Sequence, residues 1–165
     1  MAEAPSEGAL FLARLAVALI AVFIVLGVFW NGFSVEVHNR VWKDICDRPA
    51  GPMAFRFILQ PTMALIAALH DGIRDARRGR SPYLWTILRD AQKRGERIRE
   101  GLISTSRIVL FGLVMDMIYQ YEVLRTFYPG EAVLMVLLLA LIPYFVLRGP
   151  IARVARNWVS RPASN

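Results

Sequence analysis

The 165-residue chain contains one cysteine, two histidines and two lysines. Cys46, standing alone, excludes an intrachain disulfide and any zinc site built from several thiolates of the chain. His38 and His70 are too few for a histidine-rich metal site, and they fall at opposite membrane surfaces in the four-span reading below, so they are not expected to ligate a haem together. The sequence also lacks a Ser/His/Asp set, a glycine-rich phosphate loop and a carboxylate pair at catalytic spacing, so neither hydrolysis nor nucleotide binding has a motif behind it. It has no internal repeat, which removes the usual sequence sign of a self-contained secondary transporter. No aromatic stacking platform accompanies the net charge of +7, so no nucleic-acid partner is expected.

Charge itself is scarce. Only 20% of residues are charged against 56% hydrophobic, where a soluble domain carries about 25% charged. The apolar residues gather in long blocks separated by basic stretches, and that distribution points to a bilayer as the solvent. Of the 20 basic residues only Lys43 and Lys93 are lysine. Arginine is the better partner for bidentate contact with carboxylates or lipid phosphates.

Four segments are candidates to span. Residues 9–30 carry Arg14 as their only charge and are long enough, at about 1.5 Å per residue, to cross about 30 Å of hydrocarbon. They read as a retained signal anchor, because the run is too long for a cleaved signal peptide and lacks its basic start. Residues 131–148 contain no charge between Ala132 and Leu147, with Pro143 placed to kink them. Residues 102–122 reach spanning length with Asp116 well inside. Residues 52–70 are interrupted by Arg56 and Gln60-Pro61, a pattern that fits either a span or a re-entrant helix. The expectation is an all-α integral membrane protein in one domain: a small bundle of four transmembrane helices, or three if 52–70 does not cross.

Two amphipathic interfacial helices are expected as well. Residues 33–47 place Phe33, Val37, Val41 and Ile45 at spacings of four. In residues 82–100, Ser81-Pro82 opens a helix in which Leu84, Ile87, Leu88, Ala91 and Ile98 recur at helical spacing, running on into the third span. Tyr83 and Trp85 suit the headgroup level, and Arg89, Lys93, Arg94, Arg97 and Arg99 suit anionic lipid or an acidic partner. Residues 71–103 are rich in arginine, as is the tail with Arg148, Arg153, Arg156 and Arg161, whereas 122–131 hold only Arg125. The positive-inside rule therefore puts the long connection and the C-terminus in the cytoplasm, and the location expected is a bacterial inner membrane.

Asp116 is the sharpest single residue, since a carboxylate inside a span is costly and needs a partner. If 52–70 and 102–122 run antiparallel with their ends level, Asp116 lies beside position 58, within a turn of Arg56 and Gln60. An intramembrane polar cluster of Arg56, Gln60, Asp116 and Gln120 follows, either as a structural ion pair or as the lining of a conducting path.

The run His70-Asp71-Gly72-Ile73-Arg74-Asp75-Ala76-Arg77 resembles the Asp-x-x-Asp-Gly-x-x-Ala-Arg motif of the phosphatidyltransferases that act on CDP-linked lipids. It departs from that motif where the chemistry needs it. Ala68 stands where the first Asp belongs, the spacing after Gly72 is one residue too long, and the later paired aspartates are missing, so the metal-binding carboxylates are incomplete. Asp71 and Asp75 are instead expected to pair locally with Arg74, Arg78 or other basic neighbours. No catalytic residue, metal or cofactor is expected. Two functions remain: an accessory or scaffold subunit docked on a larger membrane complex, self-association being the other way to bury its faces, and a small channel or transporter subunit with its path at Arg56, Gln60 and Asp116.

Overall fold

The computed structural model of the chain describes residues 5–32 and 34–159. Phe33 and Arg161 lie outside them. The described residues are helical, with turns and no strand. Three stretches, Glu7–Trp30, Ala91–Leu124 and Pro129–Trp158, are long and apolar enough to cross a membrane.

Helix α1 (Glu7–Asn31) starts at Ser6, whose hydroxyl accepts from the Ala9 amide at 3.3 Å, and ends at Gly32, whose positive φ of 64° suits glycine. Helix α2 (Val35–Asp47) is capped by Ser34 in the same way and buries none of its residues. A 3₁₀ turn (Arg48–Ala50) follows, held by Pro49. Helix α3 (Arg56–Arg77) begins four residues later than the expected 52–70 and extends a further two turns. It bears Arg56, Asp71, Arg74, Asp75 and Arg77, and so is not among the three apolar stretches.

The expected single helix over 82–100 is two helices. Short α4 (Tyr83–Arg89) ends at Asp90, which adopts an extended backbone and caps α5 (Ala91–Tyr119) by accepting from the Gln92 and Lys93 amides, both at 3.1 Å. An aspartate here offers the backbone a cap in place of helix continuation, and the cap wins. The Arg94 side chain folds back to the Ile87 and Leu88 carbonyls and satisfies the end of α4. The second half of the expected interfacial helix is thus the first part of α5.

Helices α6 (Pro129–Val136) and α7 (Ile142–Val159) are continuous through a wider π-type turn at Leu137–Leu141. Pro143 explains that turn: it offers no N–H to the preceding turn, and its ring crowds the carbonyl there, so the helix widens just before it.

Close packing runs through small residues. On α3, Ala64, Ala68 and Gly72 form one small-residue ridge against α7. A methyl at Gly72 would meet the Ile151 side chain at 2.7 Å. Helix α1 packs on α5 and α6 through Ala16 and Phe23. At its far end Gly27 meets Gly130 so closely that a Cβ would lie 2.8 Å from the Gly130 nitrogen. The same contact sets the C-terminal end of α1 beside the N-terminal end of α6. The outward faces remain apolar: Ile58, Phe29 and Trp158 are 75%, 86% and 78% exposed.

Gly27→Val is expected to push α1 off α6, since its obstacle is backbone that has nowhere to go. The expected loss is about 1–3 kcal/mol, read as a lower thermal unfolding midpoint in detergent, whereas Gly8→Ala, with open space around it, changes nothing measurable.

Candidate functional site

Among the described residues eight charged side chains are buried to 5% exposure or less: the arginines Arg48, Arg56, Arg97 and Arg148, and the carboxylates Asp71, Asp75, Asp116 and Glu131. They fall into two clusters, each with two arginines and two carboxylates. One lies where α3 begins and α5 ends, and the other where α3 ends and α5 begins. Along α5 the distance from Arg97 to Asp116 is about 28 Å at the helical rise. Along α3 the distance from Arg56 to Asp75 is the same.

In the first cluster Asp116 Oδ1 accepts from Arg48 Nη1 at 2.6 Å and from Arg56 Nη1 at 2.8 Å. Its Oδ2 accepts from the Gln120 amide at 2.6 Å. Arg48 also donates to Glu131 Oε2 at 2.8 Å, and the half-exposed Arg40 reaches Glu131 Oε1 at 3.4 Å. The guanidinium groups of Arg56 and Arg48 stand 4.4 and 4.9 Å from the Tyr119 ring centroid. That ring face is the counterpart for the buried Arg48 Nε, Arg56 Nε and Arg56 Nη2, which have no hydrogen-bond acceptor. Gln120 has a second task. It sits in a π-type turn (Gln120–Leu124), and its amide both donates to the Tyr128 carbonyl at 3.1 Å and accepts from the Tyr128 amide at 2.6 Å. One side chain therefore joins the carboxylate to the α5–α6 connection.

The second cluster is built around Asp75. Its Oδ1 accepts from Arg97 at 3.0 Å and its Oδ2 from Arg148 Nε at 2.9 Å. Asp71 accepts from the Tyr144 hydroxyl at 2.7 Å, and that hydroxyl accepts from Arg148 Nη1 at 2.7 Å. At the rim, Glu100 binds Arg80 at 2.7 Å, Arg97 at 3.0 Å and Arg148 at 3.3 Å. Tyr83 roofs the cluster: Arg148 lies 4.1 Å from its ring centroid, and its hydroxyl donates to the Arg97 carbonyl at 2.7 Å. Burial raises the Tyr83 phenol well above its ordinary pKa, which keeps that donor proton in place.

The structure brings Arg56, Asp116 and Gln120 together. Gln60 is buried but lies against Gly112, deeper in the bundle, and is not a partner of Asp116. Tyr83 and Arg97, expected at the headgroup surface, are turned inward, because the break at Asp90 folds α4 back over the start of α5 and against α7. Trp85, Arg89, Lys93, Arg94 and Arg99 are exposed, with the Arg89 guanidinium 3.8 Å from the Trp85 ring centroid. Asp75 pairs closely with distant Arg97 and Arg148 rather than with Arg78, and the local contacts are loose: Asp75 to Arg80 and Asp71 to Arg74, both at 3.7 Å. Arg48, Glu131 and Arg148 escaped the sequence reading because each looks like the polar boundary of an apolar run. The only signal was Glu131, an acid placed immediately before a charge-free segment.

In the elbow between α4 and α5 an open cavity of about 730 Å³ is lined by Arg78, Arg80, Arg89 and Lys93, with Trp85 on one wall and Asp90 and Glu96 as its acidic groups. The sharp entry to α4 is made by Gly79, at φ 63°. Among the described residues no group of three or more His, Cys, Asp or Glu side chains is placed to hold a metal ion.

Asp116→Asn removes the anion shared by Arg48 and Arg56, and a loss of about 3–5 kcal/mol is expected, measured by thermal unfolding and trypsin resistance in detergent. Combining Asp116→Leu with Arg56→Met is expected to recover part of it, because the pair leaves together. Comparison of the chain with protein-family models, with curated proteins and with solved structures finds no match, so the role of the two clusters has to be read from their geometry.

Proposed function

We propose that the protein is a four-pass integral protein of the bacterial inner membrane that acts as a non-enzymatic accessory or scaffold subunit of a larger membrane complex. The observation that carries this reading is that buried charge is neutralised within the chain at both ends of the bundle while the outer faces are apolar. In water the distribution would be reversed. The spacing of about 28 Å between clusters approaches the thickness of a hydrocarbon core. Helix α3, too polar to span by its own hydropathy, crosses as the fourth pass because its charges sit at its two ends, where Arg56, Asp71 and Asp75 face its neighbours and Arg74 and Arg77 are exposed at the cytoplasmic end. The small-residue ridges on α3 and at Gly27 are what helices use to associate in lipid, where apolar burial gives no drive.

With the arginine-rich connection facing the cytoplasm, the Asp75 cluster lies at the inner surface and the Asp116 cluster at the outer one. Both termini then face the cytoplasm. Conduction past Asp116 is disfavoured, since its carboxylate oxygens are engaged by Arg48, Arg56 and Gln120 and present no free anion to a passing ion. The basic elbow at Arg78, Arg89 and Lys93 is the feature suited to an acidic cytoplasmic segment of a partner.

Mass spectrometry of the intact assembly, taken gently from its native membrane into nanodiscs, is expected to find the chain with a larger complex at fixed stoichiometry. Replacing exposed Arg78 and Arg89 together by Glu is expected to release it while shifting thermal stability by less than about 0.5 kcal/mol. A closed homo-oligomer that passes ions in liposomes would instead establish the channel reading.

A further inference from the structure

A second cavity, of about 570 Å³, opens between α3 and α5, with Asp71 of the second ion cluster among its lining residues. Its polarity changes in the same direction on both helices. On α3 the wall passes from Met63 and Ile66 to His70 and Arg74, and on α5 from Ile108 to Ser104. The apolar end points toward the middle of the bundle, and the polar end lies at the level of the Asp75 cluster.

The polar end carries three donors beside the Asp71 carboxylate. Arg74 is half exposed, and its one carboxylate contact, to Asp71, is a loose 3.7 Å. Asp71 itself is turned inward and held by Tyr144 and Arg148. Arg74 Nη2 lies 2.8 Å from His70 Nε2. A guanidinium has no acceptor, so Nε2 accepts and the proton of the neutral ring is on Nδ1, where it is a further donor. The exposed Ser104 hydroxyl is the third. A cation and two neutral donors above a slot of Met, Ile and Ala side chains match a phosphodiester joined to an acyl chain. A free phosphate would leave the slot uncovered, and a simple alkane would leave the donors unused.

We propose that this groove seats an anionic phospholipid of the inner leaflet, its phosphate at Arg74, His70 and Ser104 and one acyl chain along Met63, Ile66 and Ile108. The proposal rests on the membrane reading above. It gives α3, which is not among the stretches apolar enough to cross by hydropathy alone, a lipid that covers its open side against α5.

The test uses the full chain in nanodiscs of mixed phosphatidylcholine and phosphatidylglycerol, with a phosphatidylglycerol bearing a photoreactive group in its chain. Cross-links are expected to concentrate on Met63, Ile66 and Ile108. Arg74→Gln, at an exposed position that does not endanger folding, is expected to lower both that labelling and the phosphatidylglycerol retained in native mass spectra by about fivefold. Ala67→Phe is expected to block labelling by filling the slot. Labelling spread evenly over the outer faces and unchanged by Arg74→Gln would overturn the lipid seat while leaving the membrane reading intact. Displacement of the label by inorganic phosphate would overturn it in favour of a soluble anion. A wild-type chain that fails to enter nanodiscs at all would overturn the membrane reading and the lipid seat together.

Discussion

A charge removed from water must find its opposite within hydrogen-bonding reach, and this requirement organises the whole molecule. Among the described residues four arginines and four carboxylates are buried, and they divide evenly between two clusters. Because each cluster is neutral, neither carries an uncompensated charge into a low-dielectric interior, where the desolvation of a lone ion costs several kcal/mol. The partners come from different parts of the chain. Asp116 on α5 is met by Arg48 from a turn and Arg56 from α3, and Asp75 on α3 is met by Arg97 from α5 and Arg148 from α7. The pairs therefore fix the depth and register of α3, α5 and α7 relative to one another, which apolar contact between smooth helices does poorly.

The remaining features serve that geometry. Small residues let the helices approach closely enough for the guanidinium groups to reach across. The π-type turn at Gln120–Leu124 turns Gln120 so that one amide serves both Asp116 and the Tyr128 backbone. Tyr119, Tyr83 and Tyr144 offer ring faces or hydroxyls to arginines whose donors outnumber the carboxylate oxygens available. The break at Asp90 converts what would be a surface helix into a lid over the Asp75 cluster. Its outer edge forms a basic elbow, where Arg78, Arg89 and Lys93 lack the close internal carboxylates that hold Arg97 and Arg148.

The long helices were legible because their signal is local. Length and hydropathy mark Glu7–Trp30, Ala91–Leu124 and Pro129–Trp158 without reference to any neighbour. The Arg56–Asp116 pair was legible for a related reason: depth in an antiparallel pair can be counted from the ends of two apolar runs. Arg97 was misplaced because an arginine in a basic stretch carries no mark of the one rotation angle that aims it inward. Sequence spacing likewise pairs Asp75 with near neighbours, of which Arg80 stands at 3.7 Å, whereas its close partners lie on α5 and α7.

Taken alone, the sequence determined that the chain is rich in helix, that four segments are candidates to cross a membrane with 52–70 the interrupted one, and where basic charge collects between them. These are properties of composition and period along the chain, and they survive without tertiary contact. Only the tertiary structure decided which charges are interior, which arginine meets which carboxylate, and that α4 folds back over α5 and α7. Those outcomes depend on helix rotation and on turns a few residues long, at Gly79 and Asp90, where a small change in backbone angle redirects everything that follows.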